Sequence, residues 1–311
     1  MDINKVLLLG GSGFIGAYVV NRLSQRGIEV TVPTRRRERT KALIMQPGVE
    51  MPEADINCPK TLSELARGHD AVINLVGILH GRDFAKAHVE LPKKIIAACA
   101  AAGIRRLVHM SALKAEAKAP SAYLASKGEG EALVRAAGET LDVTIFRPSV
   151  VFGLGDAFLS RFACLLKSSP IFPLGFGQAR FQPVWVADVA DAIVDCLGDA
   201  ATFGQTYDLA GLKVYTLRQL VDYVRQLSGG TARVIALSDS LAYVQAGLMS
   251  LAPKPWLSPD NLRSMKVDNV SDGSRQPANW RPAALEAIAP TYIARQTPKG
   301  KLDGFRFRAG R

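Results

Sequence analysis

The stretch LLLGGSGFIG, residues 7–16, decides the fold of the chain. An apolar run of strand type passes directly into a loop with Gly10, Gly13 and Gly16, and a helical pattern follows. Glycine is needed in such a loop because the turn is tight, the backbone approaches a pyrophosphate, and the helix packs closely on the strand. The stretch therefore predicts the phosphate-binding loop of a dinucleotide-binding unit. We expect cofactor contacts from Gly10, Ser12, Gly13, Phe14, Ile15 and Gly16.

Strand-like and helical patterns alternate through the first half of the chain. Short runs rich in Val, Ile and Leu, such as KVLLLGG at 5–11 and DAVINLVGIL at 70–79, are typical of parallel strands buried on both faces. Amphipathic helical segments separate these runs. The alternation predicts an α/β fold with a doubly wound, Rossmann-type parallel sheet and a smaller C-terminal subdomain for the substrate or a partner.

Local signals place several helix starts and stops. The segment DFAKAHVELPKKIIAACAAAG, residues 83–103, predicts a helix that Pro92 kinks or restarts and that ends at Gly103. Capping boxes are predicted at two helix starts, Thr61 with Glu64 and Thr216 with Gln219.

Changes of texture along the chain predict the domain organisation. After Gly153 the sequence becomes rich in Gly, Pro and aromatic residues, which indicates irregular backbone. We therefore assign residues 1–153 to the dinucleotide-binding domain, to which residues 184–211 return. Residues 154–183 and 212–294 form the smaller subdomain, and residues 295–311 form a basic tail.

Composition limits the classes of function. Hydrophobic residues make up 48% and charged residues 22%, which is typical of a globular protein and argues against disorder. The four cysteines lie far apart, and the four histidines lack metal spacing, so we predict neither disulfides nor a metal site. His109 lies inside a strand run and is predicted to be a core histidine, whereas the helix of His88 precedes the catalytic strand. These features predict a cytoplasmic protein.

The net charge of +11 is concentrated in residues 22–41 and in the tail, residues 295–311. Each segment carries an excess of five positive charges. The basic residues are not interleaved with aromatic ones over a long face, so nucleic-acid binding is not predicted. A solvated surface is one interpretation of the tail, and peripheral contact with an anionic membrane face is the other.

The end of the second strand refines the cofactor. Folds that prefer NAD end this strand with Asp or Glu, but here the sequence is VPTRRRERT, residues 32–40. Next to Thr34, the guanidinium groups of Arg35 and Arg36 offer fork-shaped donors for a 2′-phosphate. The stretch favours NADP(H) over NAD(H), with solvated loop arginines as the alternative.

The stretch SAYLASKGEGE, residues 121–131, carries the candidate catalytic pair. Tyr123 and Lys127 are four residues apart and share one helical face. A nearby ammonium is expected to lower the pKa of the phenol, so that Tyr123 acts as a general acid or base, while Lys127 binds the nicotinamide ribose. The pair follows the fifth strand, at the edge of the sheet where such folds bind ligands.

Together these motifs resemble the short-chain dehydrogenase/reductase superfamily, in its extended and atypical branches. The glycine loop, NLVG at 74–77, the Tyr123 and Lys127 pair, and RPSVVFG at 147–153 follow in family order. Further stretches are similar to bacterial relatives of the NADPH-binding accessory subunit of respiratory complex I and of proteins tied to ubiquinone biosynthesis. Those stretches are YLASKGEGE at 123–131, PVWVADVADAI at 183–193 and SPDNLRSMKVDNV at 258–270.

The resemblance implies roles for individual residues. Tyr123 is the implied acid/base, and Lys127 is its partner and the ribose ligand. Further implied cofactor contacts are Asp55 and Ile56 at the adenine, Leu75, Val76 and Gly77 after the fourth strand, and Pro148, Val150 and Val151 beside the nicotinamide. Ser111 is the implied third catalytic residue. Only twelve residues separate it from Tyr123, so the alternative that its hydroxyl points elsewhere stays open.

Three functions follow from the resemblance. The first is an NADP(H)-dependent oxidoreductase that transfers hydride to a carbonyl or quinone-like substrate with Tyr123 as the acid/base. The second is a non-catalytic NADPH-binding accessory or assembly protein of complex I or of quinone biosynthesis. The third is a nucleotide-sugar epimerase or dehydratase, for which the sequence offers only Arg161 and Arg180 as diphosphate ligands.

Overall fold

A computed structural model of the chain describes residues 2–35, 41–79, 81, 83–250 and 257–294. The chain divides into two compact units. The first comprises Met1–Pro148, Val186–Leu209 and Gly273–Pro277, and the second comprises Ser149–Trp185, Ala210–Asp272 and Ala278–Arg311. Within the described ranges, no helix is long and apolar enough to cross a membrane.

The first unit is built on one parallel sheet of seven strands. These are β1 (Lys5–Leu9), β2 (Glu29–Thr31), β3 (Val49–Glu50), β4 (Ala71–Asn74), β5 (Arg106–Met110), β6 (Asp142–Pro148) and β11 (Thr206–Leu209). Their order across the sheet is β11-β6-β5-β4-β1-β2-β3, and every neighbouring pair is parallel. The chain reverses its direction of travel across the sheet between β1 and β4, which is the switch point where such sheets bind ligands. The predicted Rossmann-type fold is confirmed.

The connections of this sheet are mostly helical. The helices are α1 (Phe14–Gln25), α2 (Lys41–Ile44), α3 (Pro59–Ala66), α4 (Leu91–Ala102), α5 (Ala122–Ala136) and α7 (Val186–Asp195). Helix α1 buries Val19, Val20 and Leu23, which recur at helical spacing. The core on one face of the sheet joins apolar side chains of β1, β4, β5 and β6 to those of α3 and α4.

The predicted capping box at Thr61 and Glu64 is wrong. Helix α3 begins two residues earlier, at Pro59, and Cys58 is its N-cap. Proline favours the first helical position because its fixed φ suits the helix and its missing N–H has no helical acceptor there. Thr61 therefore lies inside the first turn.

Pro92 restarts the long helix, as predicted. A π-helical segment, Lys86–Glu90, precedes α4, and Pro92 lies at the beginning of α4. A proline ring clashes with the carbonyl four residues earlier, here that of His88. The wider π turn accommodates this clash, and the backbone reaches the left-handed conformation at Gly103, where α4 ends.

The second unit contains short strands and helices. Its strands are β7 (Val151–Phe152), β8 (Ile171–Leu174), β9 (Arg180–Phe181), β10 (Val184–Trp185), β12 (Tyr215–Thr216) and β13 (Arg233–Ala236). Its helices are α6 (Leu159–Ser168), α8 (Leu217–Ser228), α9 (Asp239–Met249), α10 (Pro259–Ser264) and α11 (Leu285–Ile293). The capping box of Thr216 and Gln219 at the start of α8 is confirmed. Helices α6, α8 and α11 share an apolar core in this unit.

Candidate functional site

The glycine loop between β1 and α1 has little room for side chains. Gly10 has φ +85°, a conformation that L side chains rarely adopt, and its carbonyl accepts a hydrogen bond from the N–H of Gly13 at 3.0 Å. A Cβ on Gly16 would overlap the carbonyl oxygen of Gly10, and a Cβ on Gly10 would lie 3.1 Å from the backbone of Leu75. Glycine is therefore required for the close approach of α1 to the loop and of the loop to the end of β4.

The start of α1 suits an anion. Gly13 is the N-cap, Ser12 and Gly13 are exposed, and Phe14 and Ile15 are half-buried. The first turn, residues 14–17, is described completely and carries no acidic side chain. The first N–H groups of a helix lack helical acceptors and lie at the positive end of its dipole. The loop thus fits the pyrophosphate of a dinucleotide.

The predicted adenosine contacts lie at the ends of β2 and β3. Thr34 is buried and forms a parallel bridge with Glu53, whereas Arg35 is exposed. Arg36 lies outside the described residues. Asp55 is exposed, and hydrogen bonds from the backbone and side chain of Asn57 lower the pKa of its carboxyl, with smaller contributions from Lys86 and Arg35. Ile56 is half-buried and packs against the core.

Lys127 is held in the interior at the edge of the sheet. Its Nζ donates to the carbonyl oxygen of Met110 at 2.9 Å and to that of Val76 at 3.5 Å. A Cβ on the exposed Gly77 would lie 3.3 Å from this Nζ, while Leu75 and Val76 are half-buried. Burial lowers the pKa of Lys127 to about 8, and the nearby Glu131 partly opposes this shift. The ammonium therefore joins the loop after β4 to the end of β5.

Tyr123 lies among rings. Its ring meets those of His88 and Phe84 edge to face, with centroids 5.6 and 6.2 Å away. Burial raises the pKa of its phenol to about 12. The expectation that the ammonium of Lys127 lowers this pKa is wrong in this structure, because the ammonium is bonded to two backbone carbonyls and the loss of solvent dominates.

His88 is a site residue whose role the sequence did not reveal. It is buried, its Nε2 lies 3.1 Å from the backbone N of Ile78, and its Nδ1 lies 2.9 Å from Oγ of Ser126. The hydroxyl of Ser126 also donates to the carbonyl of Tyr123 at 2.9 Å. Burial, with the charge of Lys127, lowers the pKa of His88 to about 3, so the ring is neutral. The signal available in the sequence was its position four residues before Pro92, where the helix restarts.

The hydroxyl of Ser111 is directed to a carboxylate. It donates to Oε2 of Glu131 at 2.7 Å, and both oxygens of Glu131 accept from Arg147, at 2.8 and 2.5 Å. Arg135 adds a further bond to Oε1. These hydrogen bonds outweigh burial and hold the pKa of Glu131 below its usual range. The structure therefore agrees with the alternative that the hydroxyl of Ser111 points elsewhere.

The remaining predicted residues fall in both units. Pro148 ends β6, and its carbonyl accepts from the N–H of Leu113 at 3.0 Å. Val150 and Val151 are half-buried residues of the second unit, where the carbonyl of Val150 accepts from the N–H of Val184 at 3.0 Å. His109 is buried in β5 with Nδ1 3.1 Å from the amide nitrogen of Asn74, as expected of a core histidine.

The fold brings most of the predicted site to one edge. Strands β1, β4, β5 and β6 are parallel neighbours, so their carboxyl ends lie together. The glycine loop follows β1, and the segment Leu75–Gly77 follows β4. The ammonium of Lys127 is bonded to the carbonyl of Met110 at the end of β5. The result is a phosphate-binding loop beside the half-buried Tyr123 and the buried Lys127.

Comparisons with known proteins agree with this geometry. Residues 6–210 match the NAD dependent epimerase/dehydratase family. The mouse (Mus musculus) protein NADH dehydrogenase (ubiquinone) 1 alpha subcomplex subunit 9, mitochondrial, is 31% identical over 273 residues, which cover 85% of this chain and 72% of that protein. A ceramide reductase of Caulobacter vibrioides is 28% identical over 238 residues, 75% of this chain and 74% of that protein.

The fold is also that of solved structures. A nucleoside-diphosphate-sugar epimerase from Staphylococcus aureus has a TM-score of 0.69 at 18% identity, covering 91% of this chain and 98% of that one. The matches confirm the resemblance to the short-chain dehydrogenase/reductase superfamily and to the branch of the complex I subunit. The chain belongs to the NAD dependent epimerase/dehydratase family.

Proposed function

We propose that the protein is an NADP(H)-dependent reductase of the short-chain type, acting on a carbonyl or quinone-like substrate. The observation that carries the proposal is the position of Tyr123 one helical turn before Lys127, whose ammonium is buried at the edge of the sheet that bears the glycine loop. When bound, the reduced nicotinamide supplies the hydride. The chain's own residues bind the cofactor, exclude water and deliver the proton.

We assign the cofactor contacts as follows from the sequence and the fold. The glycine loop and the start of α1 take the pyrophosphate, Arg35 and Asp55 take the adenosine end, and Lys127 takes the nicotinamide ribose. Pro148, Val150 and Val151 are proposed for the nicotinamide itself. Ser111 is proposed to support the fold through Glu131, because its hydroxyl proton is already donated there.

The phenol of Tyr123 can donate a proton. Burial raises its pKa to about 12, so it carries its proton near pH 7. Reduction of a carbonyl needs such a donor, since negative charge develops on oxygen.

We propose that Arg35, with Arg36, selects NADP(H). Arg35 is exposed at the end of β2, where it is available to a 2′-phosphate. We expect Arg35→Ala with Arg36→Ala to reduce the preference for NADPH over NADH by about tenfold or more. Titration of each nucleotide by fluorescence measures the ratio. Equal affinities in the unaltered protein contradict the assignment.

One observation favours the second function, a non-catalytic NADPH-binding accessory protein. The hydroxyl that relatives of the extended branch use beside the tyrosine, that of Ser111, donates instead to Glu131. The mouse relative is named as a subunit of an NADH dehydrogenase subcomplex. In this function the nucleotide stabilises the fold, and the basic tail, residues 295–311, contacts an assembly or an anionic membrane face.

Hydride transfer from labelled NADPH separates the two functions. The protein is incubated with C4-deuterated NADPH and an extract of lipids and metabolites, and the deuterium is followed by mass spectrometry. We expect label in one carbonyl-derived product with the unaltered protein and none with Tyr123→Phe. Label that stays on tightly bound nucleotide in both proteins would support the accessory function instead.

A further inference from the structure

We propose that His88 is the positioning residue for Tyr123, and that it acts through a hydrogen-bonded relay from Ile78 through His88 and Ser126 to the Tyr123 carbonyl. The relay ties the first turn of α5 to the loop that follows β4, the two segments that bear Tyr123 and Gly77. The role rests on the proposed reductase function, because positioning matters where a proton is delivered.

The direction of each hydrogen bond in the relay follows from its first member. A backbone N–H only donates, so Nε2 of His88, 3.1 Å from the nitrogen of Ile78, must present its lone pair. A neutral imidazole then carries its proton on Nδ1 and donates it to Oγ of Ser126 at 2.9 Å. The hydroxyl of Ser126 in turn donates a hydrogen bond to the carbonyl of Tyr123 at 2.9 Å. Only this tautomer satisfies all three contacts.

The local backbone explains why a histidine of another helix reaches α5. Pro92 has no N–H to offer the carbonyl of His88, and the chain widens there into the π-helical segment. A Cβ on Gly130 would overlap that same carbonyl oxygen, so glycine lets α5 approach closely. Because of Pro92 and Gly130, His88 packs against the first two turns of α5.

The ring of His88 also packs on Tyr123 directly. It meets the phenol ring edge to face at 5.6 Å and stacks on Phe84 at 5.8 Å, and Phe84 in turn contacts Tyr123. On its other side, Nε2 would lie 3.8 Å from a Cβ on Gly77, beside Nζ of Lys127. His88 thus contacts the ring of Tyr123 and the loop beside the ammonium, and it reaches the backbone of Tyr123 through Ser126. Loss of the relay frees the phenol to move relative to Gly77.

Three measurements on the protein and its variants test the relay. Nitrogen-15 NMR of labelled histidines reads the tautomer of His88, and the carbon-13 signal of the Tyr123 Cζ reads the setting of the phenol. The rate of deuterium transfer from C4-deuterated NADPH into the extract reads its effect on chemistry. The variants are His88→Ala, Ser126→Ala, the double variant and His88→Asn, which keeps a donor near the Nδ1 position. His69→Asn is the control, since His69 is bonded to Thr31 at 2.8 Å.

We expect the Nδ1-protonated tautomer from about pH 8 to about pH 5.5. Transfer should fall roughly tenfold to hundredfold in Ser126→Ala and in His88→Ala, because small misplacements are costly in catalysis. The double variant should be no slower than the slower single one, and His88→Asn should recover part of the rate. NADPH affinity should stay within about twofold, and His69→Asn should change neither signal nor rate.

Three results would overturn the proposal. They are a proton on Nε2, a transfer rate of Ser126→Ala equal to that of the unaltered protein, and additive losses in the double variant. If the unaltered protein transfers no label, the proposed function fails separately. The relay is then judged on the Tyr123 signal alone, which Ser126→Ala must shift.

Discussion

Two successive turns on the buried face of α5 have opposite chemistry. In the first, Tyr123 and Ser126 meet a neutral histidine, and Lys127 is bonded to backbone carbonyls. In the next, Glu131 accepts from Ser111, Arg135 and Arg147 in a buried ionic network. In the first turn, the hydrogen-bond donors are directed to fixed acceptors, and the rings packed around the phenol are uncharged. In the second turn, Glu131 forms ion pairs with Arg135 and Arg147 and accepts a hydrogen bond from Ser111.

This difference explains the fate of the family's third catalytic position. Ser111 directly follows β5 at the expected edge of the sheet, but its hydroxyl donates a hydrogen bond to Glu131 on the second turn. His88, on a different element, contacts the ring of Tyr123 edge to face. His88, and not Ser111, therefore holds Tyr123 in place. Three substitutions sharpen the contrast between the two turns.

The largest effect is expected from Glu131→Ala. It leaves the mostly buried guanidinium of Arg147 and the hydroxyl of Ser111 without their acceptor. The free energy of unfolding should fall by about 3 to 5 kcal/mol, measured by urea denaturation. Glu90→Ala, at an exposed ion pair with Lys93, should cost less than about 1 kcal/mol. Equal small losses would mean that the network does not stabilise the second turn.

A smaller effect is expected where α5 crosses the π-helical segment. Gly130→Ala introduces a methyl group that overlaps the carbonyl oxygen of His88, so a backbone shift is needed, at a cost of up to about 3 kcal/mol. Gly138→Ala is the matched control, since nothing lies within 4 Å of a Cβ there. Thermal or urea unfolding compares the two. Similar stabilities would show that the crossing is looser than described.

The smallest of the three effects is a change in the pH dependence of stability. The pKa of Lys127 is about 8 in the folded chain and 10.5 for an ordinary lysine, so between these values the unfolded chain binds more protons. Stability of the cofactor-free protein should therefore rise with pH in this window, by about 2 kcal/mol between about pH 7.5 and 9.5. Lys127→Met should lack this rise in urea denaturation. Parallel curves for the two proteins would contradict the burial of the ammonium.

The sequence predicts the fold and the cofactor loop well because both depend on local patterns. Continuous apolar runs mark the parallel strands, and Gly10 and Gly16 are required by the backbone itself. Pro92 likewise predicts the helix restart from its chemistry alone. The surroundings of Tyr123 were beyond such reasoning, since they join residues from separate elements. Nothing local in the sequence indicates that Ser111 meets Glu131, or that burial outweighs the ammonium in setting the phenol's pKa.

The central claim is that the first turn of α5, and not Ser111, forms the reaction centre. Deuterium transfer from C4-deuterated NADPH, compared between Ser111→Ala and Tyr123→Phe, tests this most directly. We expect Tyr123→Phe to lose about a hundredfold or more, because the substitution removes the proton donor. Ser111→Ala should remain within about fivefold of the unaltered protein. A loss in Ser111→Ala as large as that in Tyr123→Phe would contradict the account.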